Sequence, residues 1–373
     1  MTRSIVFPEP SVPREGPMGW SEPALNYYRT STRTDAVVAR KWINAAYARF
    51  PDPSGELAGR LRSARNDQHM SALDELFVHD RLIQHGRVVH EEGGVGPDFR
   101  IYRNEEYVGA IEVCSLFDNP QWEAEQMRHA RIVDALNERI PLETWFVHFE
   151  VIRLDRQPSL RSLVAWIQAR IAELPNGPDD AADPLTPWTT YSAEGVELRF
   201  RFLRRRSTFE PKPTDRIIGS GQPIGGFVDS HLRLRSALEK KVQKRYETRG
   251  KPFAVFVGAW DWACAVDQLE DALLGNQQVV VDSGEIRRAH NGFFGISRER
   301  PKGKHQDVSA VFVLLNWRPW NQENASILRL DNPFASLEFP DHLLLADYHL
   351  AVVRNPQAKW MEWSPAPPAT GNL

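Results

Sequence analysis

GPDFRIYRNEEYVGAIEVC, residues 96–114, is the stretch on which the fold turns. Two short apolar runs, Asp98–Arg103 and Tyr107–Cys114, flank the polar residues Asn104 to Glu106, the pattern of two strands joined by a tight turn. With the turn centred on residue 105, positions summing to 210 face each other. Asp98 then lies opposite Glu112, Arg100 opposite Ala110 and Tyr102 opposite Val108. Directly opposed side chains share a face of the sheet, with Cβ atoms about 5 Å apart. Two carboxylates held that close repel unless something positive sits between them. A divalent cation such as Mg²⁺, which prefers hard oxygen ligands, serves that purpose. It would also polarise a phosphodiester and help ionise a water. In the competing reading Asp98 starts a turn and Glu112 is a solvated strand residue. However, Val108 and Ala110 lie on the face of Glu112, and Ile111 and Val113 make the other face apolar too. A carboxylate on an inner strand of that kind needs a partner.

Working outward, the segment Ser71–His85 carries Leu73, Leu76, Phe77 and Ile83 as an apolar stripe, with Ser71 as a cap and Gly86 as a stop. Glu75 sits beside that stripe, where a helix packed on the sheet could aim it at the pair. Its neighbour Asp74 would point elsewhere. Arg87–His90 reads as a further strand, Gln121–Arg139 as a helix and Glu143–Leu154 as a strand. The order is helix, three strands, helix, strand.

Glu75 on a helix, then Pro97-Asp98, then Glu112 on the next strand resembles the PD-(D/E)xK, or restriction-endonuclease-like, nuclease superfamily. The resemblance covers residues 68–155. The elements Glu75-Leu76, Pro97-Asp98-Phe99 and Glu112-Val113 are also similar to those of a bacterial branch without an assigned activity. The family implies an α/β fold: an αβββαβ core with a mixed sheet, here elaborated by N-terminal helices and a large C-terminal α+β extension. It implies Mg²⁺- or Mn²⁺-dependent hydrolysis of phosphodiesters, with DNA as the expected partner, in defence or DNA processing. Asp98 and Glu112 match the metal-binding pair, Glu75 the acidic residue of the first core helix, and Gln126 a glutamine that some branches place beside the site.

The departure is Cys114, two residues after Glu112 and on the same face, where the family carries a lysine. A thiol supplies no fixed positive charge. Some branches carry that lysine on a neighbouring element. The helix from Gln121 offers Arg128, His129 and Arg131 but no lysine. Residues 231–251, HLRLRSALEKKVQKRYETRGK, carry eight Lys or Arg against two Glu. Leu234, Leu238 and Lys241 fall at i, i+4 and i+7, so Lys241 lies on an apolar stripe, with Lys240 and Lys244 nearer solvent. Lys241 is either a relocated catalytic lysine or a snorkelling side chain with its ammonium in water. Lys240 and Lys244 suit phosphate contacts. In VELRFRFLRRR, residues 196–206, Arg199 and Arg201 share one face and are interleaved with Phe200 and Phe202, which suits a duplex groove or a plain amphipathic strand.

The remaining chain sets bounds. Its 373 residues are 42% apolar and 25% charged, ordinary for a globular protein. The formal charge of −3 carries no global sign of nucleic-acid binding, so local charge has to. Two cysteines, Cys114 and Cys264, exclude a disulfide framework and a zinc cluster and fit a reducing cytoplasm. No apolar run approaches the roughly 20 residues of a membrane helix, and the start lacks a secretory pattern. HExxH, GxSxG, GxxxxGK[ST] and GxGxxG are missing. The first thirty residues, with Pro8, Pro10, Pro13, Pro17 and Pro23, read as an extended arm. Helices are expected at Asp35–Phe50, Glu56–Ser63, Ser159–Leu174, Leu232–Tyr246 and Val266–Leu274. Strands are expected at Val196–Leu203, Phe253–Gly258, Val308–Leu315 and His342–Val352. The expected division is 1–66 for the arm and first helices, 67–155 for the core, and 156–373 for an extension packed on it as one domain. A homodimer or a defence-system protein is a further expected partner. The alternative function is a nuclease-like module, inactive through Cys114, that binds nucleic acid or a protein. A third reading is an assembly protein in which Asp98 and Glu112 are a salt-linked pair.

Overall fold

The computed structural model describes residues 5–351 and 362–365, apart from 91–95, 119, 176–185, 207, 209, 213, 219–228, 245, 262–263, 280, 282–283, 285, 290 and 296–302. The Gly-rich loop GQPIGG, residues 221–226, lies outside these residues, as do most of the polar loop expected over 176–186 and most of the Pro-rich tail expected over the last ten residues.

The chain forms two compact units: 1–11 with 24–118 and 228–373, and 12–23 with 119–227. The first unit begins with α1 (Ala24–Thr30), α2 (Thr34–Arg49), α3 (Glu56–Leu61) and α4 (Asn66–Leu82). The strands β1 (Arg87–His90), β2 (Phe99–Arg103) and β3 (Glu106–Leu116) follow as an antiparallel meander. The second unit then takes the chain through α5 (Pro120–Arg139), β4 (Trp145–Leu154), α6 (Leu160–Ala172), β5 (Thr189–Ala193) and β6 (Val196–Arg204). The first unit resumes with α7 (Ser230–Val242), β7 (Phe253–Ala259), α8 (Val266–Leu274), β8 (Gln277–Val279), β9 (Ile286–Arg288), β10 (Ala310–Leu315), β11 (Ser326–Asp331), β12 (Tyr348–Ala351) and β13 (Glu362–Pro365).

Its main sheet runs β1-β2-β3-β7-β10-β11-β12-β13. β3, β7 and β10 are parallel at its centre. That position suits FAVFVGA and AVFVLL, which are apolar on both faces, as an inner parallel strand must be. α7 covers one face: Leu234, Leu238 and Val242 pack with Ala110, Cys114, Val255 and Val257. Each fully buried leucine there contributes about 2 kcal/mol toward holding the helix on the sheet. α4 covers the other face, where Phe77 packs edge-on against Trp317 at 5.1 Å and meets Phe256 at 6.4 Å. Trp317 also touches Trp42 and Trp260, so tryptophans scattered in sequence gather in one cluster.

The structure corrects the expected core. Gln121–Arg139 and Glu143–Leu154 do form a helix and a strand, but in the second unit. There β4 pairs with β6, in a β4-β6-β5 sheet separate from β3. The strand beside β3 is β7. Periodicity identifies an element and leaves its partner open, because pairing is set by tertiary burial. The divisions at 67–155 and 156–373 therefore cut across both units. The second unit also recruits residues 12–23: Asp134 accepts hydrogen bonds from the backbone N–H groups of Trp20 at 2.8 Å and Ser21 at 2.7 Å. The expected extended arm holds α1, which buries Tyr27 and Tyr28. Ser71 caps nothing, since α4 begins at Asn66. Among the described residues of the strand expected over His342–Val352, Tyr348–Ala351 is the part that is strand. β5 and β11 had no sequence counterpart.

Among the described residues no helix is long and apolar enough to cross a membrane.

Candidate active site

The β2–β3 hairpin closes on Asn104 and Glu105, both at positive φ (49° and 63°), the conformation of a two-residue turn that matches strand twist. A bulge after Ile101 pairs Tyr102 with Tyr107 instead of the expected Val108. Below the bulge the register is the expected one, with Arg100 on Ala110 and Phe99 on Ile111, so that Asp98 meets Glu112. The two acids brace each other through backbone. The Asp98 N–H donates to Glu112 Oε2 at 3.1 Å, and the Val113 N–H donates to Asp98 Oδ2 at 2.6 Å.

Glu112 is 1% exposed, and its other oxygen faces α7. Lys241 Nζ, 129 residues away in sequence, donates to Glu112 Oε1 at 2.7 Å. The Tyr246 hydroxyl donates to the same oxygen. Lys244 Nζ stands 3.7 Å from it. Lys241 reaches this point because Leu234 and Leu238 are buried on the helix stripe it continues. Its ammonium therefore ends on a carboxylate and not in water. Burial works against its charge, but Asp98, Glu112 and the hydrogen bond outweigh burial and raise its pKa.

Burial pushes the Asp98 carboxyl well above the ordinary carboxylate range, and the Glu112 charge pushes it further; Lys241 only partly opposes them. The neutral acid is thus favoured at Asp98, while Glu112 carries the charge that Lys241 and Lys244 face. The Cys114 thiol, packed with Leu234 and Leu238, is pushed up to about 12 by burial and is neutral; the Lys241 charge acts against that rise.

No family model, curated protein or solved structure matches the chain.

The other expected site residues divide. Glu75 stands close enough to raise Asp98 through its charge, but both its oxygens accept from Arg60, and His90 Nε2 lies 3.9 Å away. As a third metal ligand it would have to leave that arginine. Gln126 is half-buried on α5, in the second unit. Lys240 and Lys244 are exposed around the end of α7. Arg199 and Arg201 also belong to the second unit. Both guanidinium groups stack on Trp188, at 5.2 and 4.7 Å, and Arg199 is ion-paired with Glu150. Phe200 and Phe202 point the opposite way into the core, so arginines and phenylalanines do not share a groove-facing surface. Among the described residues no group of three or more His, Cys, Asp or Glu is placed to hold a metal. Two carboxylates are nevertheless a set that suits Mg²⁺, which uses one or two protein carboxylates.

Three residues here escape sequence reasoning. Tyr246 lies at the end of the expected helix, but the observed α7 stops at Val242, and nothing in the sequence singled out its hydroxyl. Arg60 is one of many surface-type arginines. Asp74, expected to point elsewhere than Glu75, is fully buried. It accepts from the Ser115 hydroxyl and, at 2.8 Å, from Trp260 Nε1, while its Oδ1 has no partner among the described residues. Burial, with the Glu75 charge behind it, raises its pKa from 3.8 to about 7 against the Ser115 and Trp260 donors. The folded state therefore holds a proton that the unfolded state gives up. Its stabilising contribution is complete below the unfolded value of 3.8 and is lost as pH rises to about 7. Asn in place of Asp74 mimics the neutral acid. Relative to wild type, Asp74→Asn is expected to gain on the order of 2 kcal/mol between pH 5 and pH 8. Urea unfolding at the two pH values checks this, and parallel losses in both proteins would refute it.

Proposed function

We propose that this protein is a divalent-metal-dependent nuclease acting on DNA, with Asp98 and Glu112 holding Mg²⁺ or Mn²⁺. The observation that carries the reading is the Lys241 ammonium 2.7 Å from Glu112 Oε1, on the face where Cys114 stands in place of a strand lysine. The positive charge missing from the strand comes instead from the helix above it. The order of elements lends support. α4, the β1–β3 meander, α7 across Glu112 and β7 parallel to β3 give helix, three strands, helix, strand once the second unit is set aside. That order is similar to the αβββαβ order the resemblance implies, with α7 and β7 in the places first expected of α5 and β4.

A metal bound there would supply Lewis acidity toward a phosphodiester and a more acidic water. Lys241 is suited to hold the phosphate and to offset charge as the bond breaks. Tyr246 fixes the orientation of the Glu112 carboxylate. Lys240 and Lys244 suit the flanking phosphates, whose neutralisation dominates nucleic-acid affinity. A setting in defence or DNA processing rests on the resemblance alone.

The test is incubation with linear, circular and single-stranded DNA, and with RNA, in Mg²⁺, Mn²⁺ or EDTA. Cleavage that needs the divalent ion is the expected result. DNA binding without cleavage in any buffer would leave a binding module, and neither binding nor cleavage would leave an assembly protein.

A further inference from the structure

Glu112 Oε1 already receives Lys241 and Tyr246, and Oε2 receives the Asp98 N–H. A carboxylate oxygen has about two lone pairs to offer, so Oε1 is filled. Oε2 keeps one lone pair, so a cation bridging Asp98 and Glu112 either takes a position on Oε1 or sits on Oε2 with the Lys241 ammonium on the same carboxylate. Tyr246 is neutral and can turn its hydroxyl. Lys241 is held by charge, and a divalent ion both cancels the charge that holds it and repels it.

We infer that Lys241 is a built-in competitor for the metal position on Glu112, and that metal binding releases its ammonium toward the substrate phosphate. This rests on reading Asp98 and Glu112 as the metal pair, and it adds an order of events. Without metal, Lys241 neutralises a carboxylate that is 1% exposed and keeps the site from standing as a bare pair of acids. With metal, the same side chain becomes available at a reacting phosphate. It has room to leave, because it remains 24% exposed in the paired state while its stem lies along the Leu234–Leu238 stripe. The exchange also explains why the lysine can sit on a helix. A strand lysine two residues from Glu112 would be fixed beside it, whereas a helix side chain can swing.

The experiment is Mn²⁺ titration of the full chain by calorimetry, without DNA, for wild type, Lys241→Met, Lys241→Arg and Asp98→Ala. Lys241→Met is expected to bind Mn²⁺ roughly tenfold more tightly than wild type, the equivalent of one modest ion pair removed. Lys241→Arg keeps the competing charge and should stay near wild type. Asp98→Ala should lose the binding. Equal or weaker binding by Lys241→Met, alongside Asp98-dependent binding by wild type, overturns the exchange and leaves the metal pair standing. No Asp98-dependent binding in wild type or Lys241→Met overturns the metal pair itself.

A second measurement needs no variant. Acetylation of wild-type Lys241 by acetic anhydride, read by mass spectrometry against exposed Lys240, should rise several-fold on adding Mg²⁺. Equal labelling with and without Mg²⁺ counts against release.

Discussion

Asp98→Ala is expected to remove metal-dependent cleavage, and Lys241→Met to slow it at least roughly a hundredfold at saturating metal, the usual scale for losing one fixed charge-stabilising donor. The two variants should fail differently. Asp98 is one of the two carboxylates read as holding the metal, so its loss acts before any chemistry. Lys241 acts on the phosphate, so its variant keeps the metal and loses rate. Met preserves the length and apolar stem that continue the Leu234–Leu238 stripe, and the fold should survive. Lys244, 3.7 Å from Glu112, can take up part of the charge, which limits the single-variant effect. The Lys241→Met, Lys244→Met double variant should be slower still. Single-turnover rates with saturating Mn²⁺ make the comparison. A Lys241→Met enzyme at the wild-type rate would show that the helix lysine is only a counter-ion for Glu112.

The second large effect concerns Gly258→Ala, which is expected to cost about 3 kcal/mol or more. Gly258 lies on β7 between Ser115 of β3 and Leu314 of β10. A Cβ there would stand 2.0 Å from Asp74 Oδ2 and 2.1 Å from its Cγ. The carboxyl cannot step aside, because it is fully buried and tied to Ser115 and Trp260. Either α4 lifts from the sheet or the acid loses both donors. Removing the acid should therefore relieve the clash. The double variant Asp74→Ala, Gly258→Ala is expected to be more stable than Gly258→Ala alone, and a double-mutant cycle by urea unfolding should show coupling of roughly 2 kcal/mol. Additive losses would mean that Gly258 is needed for some reason other than Asp74. Because Asp74 adjoins Glu75 in sequence while Ser115 follows Cys114, this contact also helps set α4 against the strand that carries Glu112.

What could be read from the chain beforehand follows from locality. The hairpin is local: alternating apolar residues, a two-residue turn and a count across it were enough to oppose Asp98 and Glu112, and the bulge displaced only the pairs above Ile101. The stripe of Leu234, Leu238 and Lys241 is local too, so the one lysine facing the core could be singled out from its neighbours. Short apolar runs such as Phe253–Ala259 declared themselves as buried strands.

Other features depended on contacts between distant segments. The helix and strand after β3 were identified correctly as elements and placed in the wrong sheet, since nothing in a helical or alternating pattern says that 109 residues, 119–227, form a separate unit before the core resumes. Gln126 went with them. Glu75 could be seen on its helix, but its capture by Arg60 could not. Asp74 could be read only as pointing elsewhere than Glu75, because its surroundings, Ser115 on one side and Gly258 with Trp260 on the other, come from two other segments. The sequence by itself determined most of the helices and inner strands and the opposed acids, because hydrogen-bonded turns and side-chain periodicity act over a few residues. Only the tertiary structure decided which helix crosses Glu112 and brings Lys241 and Tyr246 to it. That choice comes from burying apolar faces drawn from the whole chain, and a free energy summed over distant surfaces leaves no local mark.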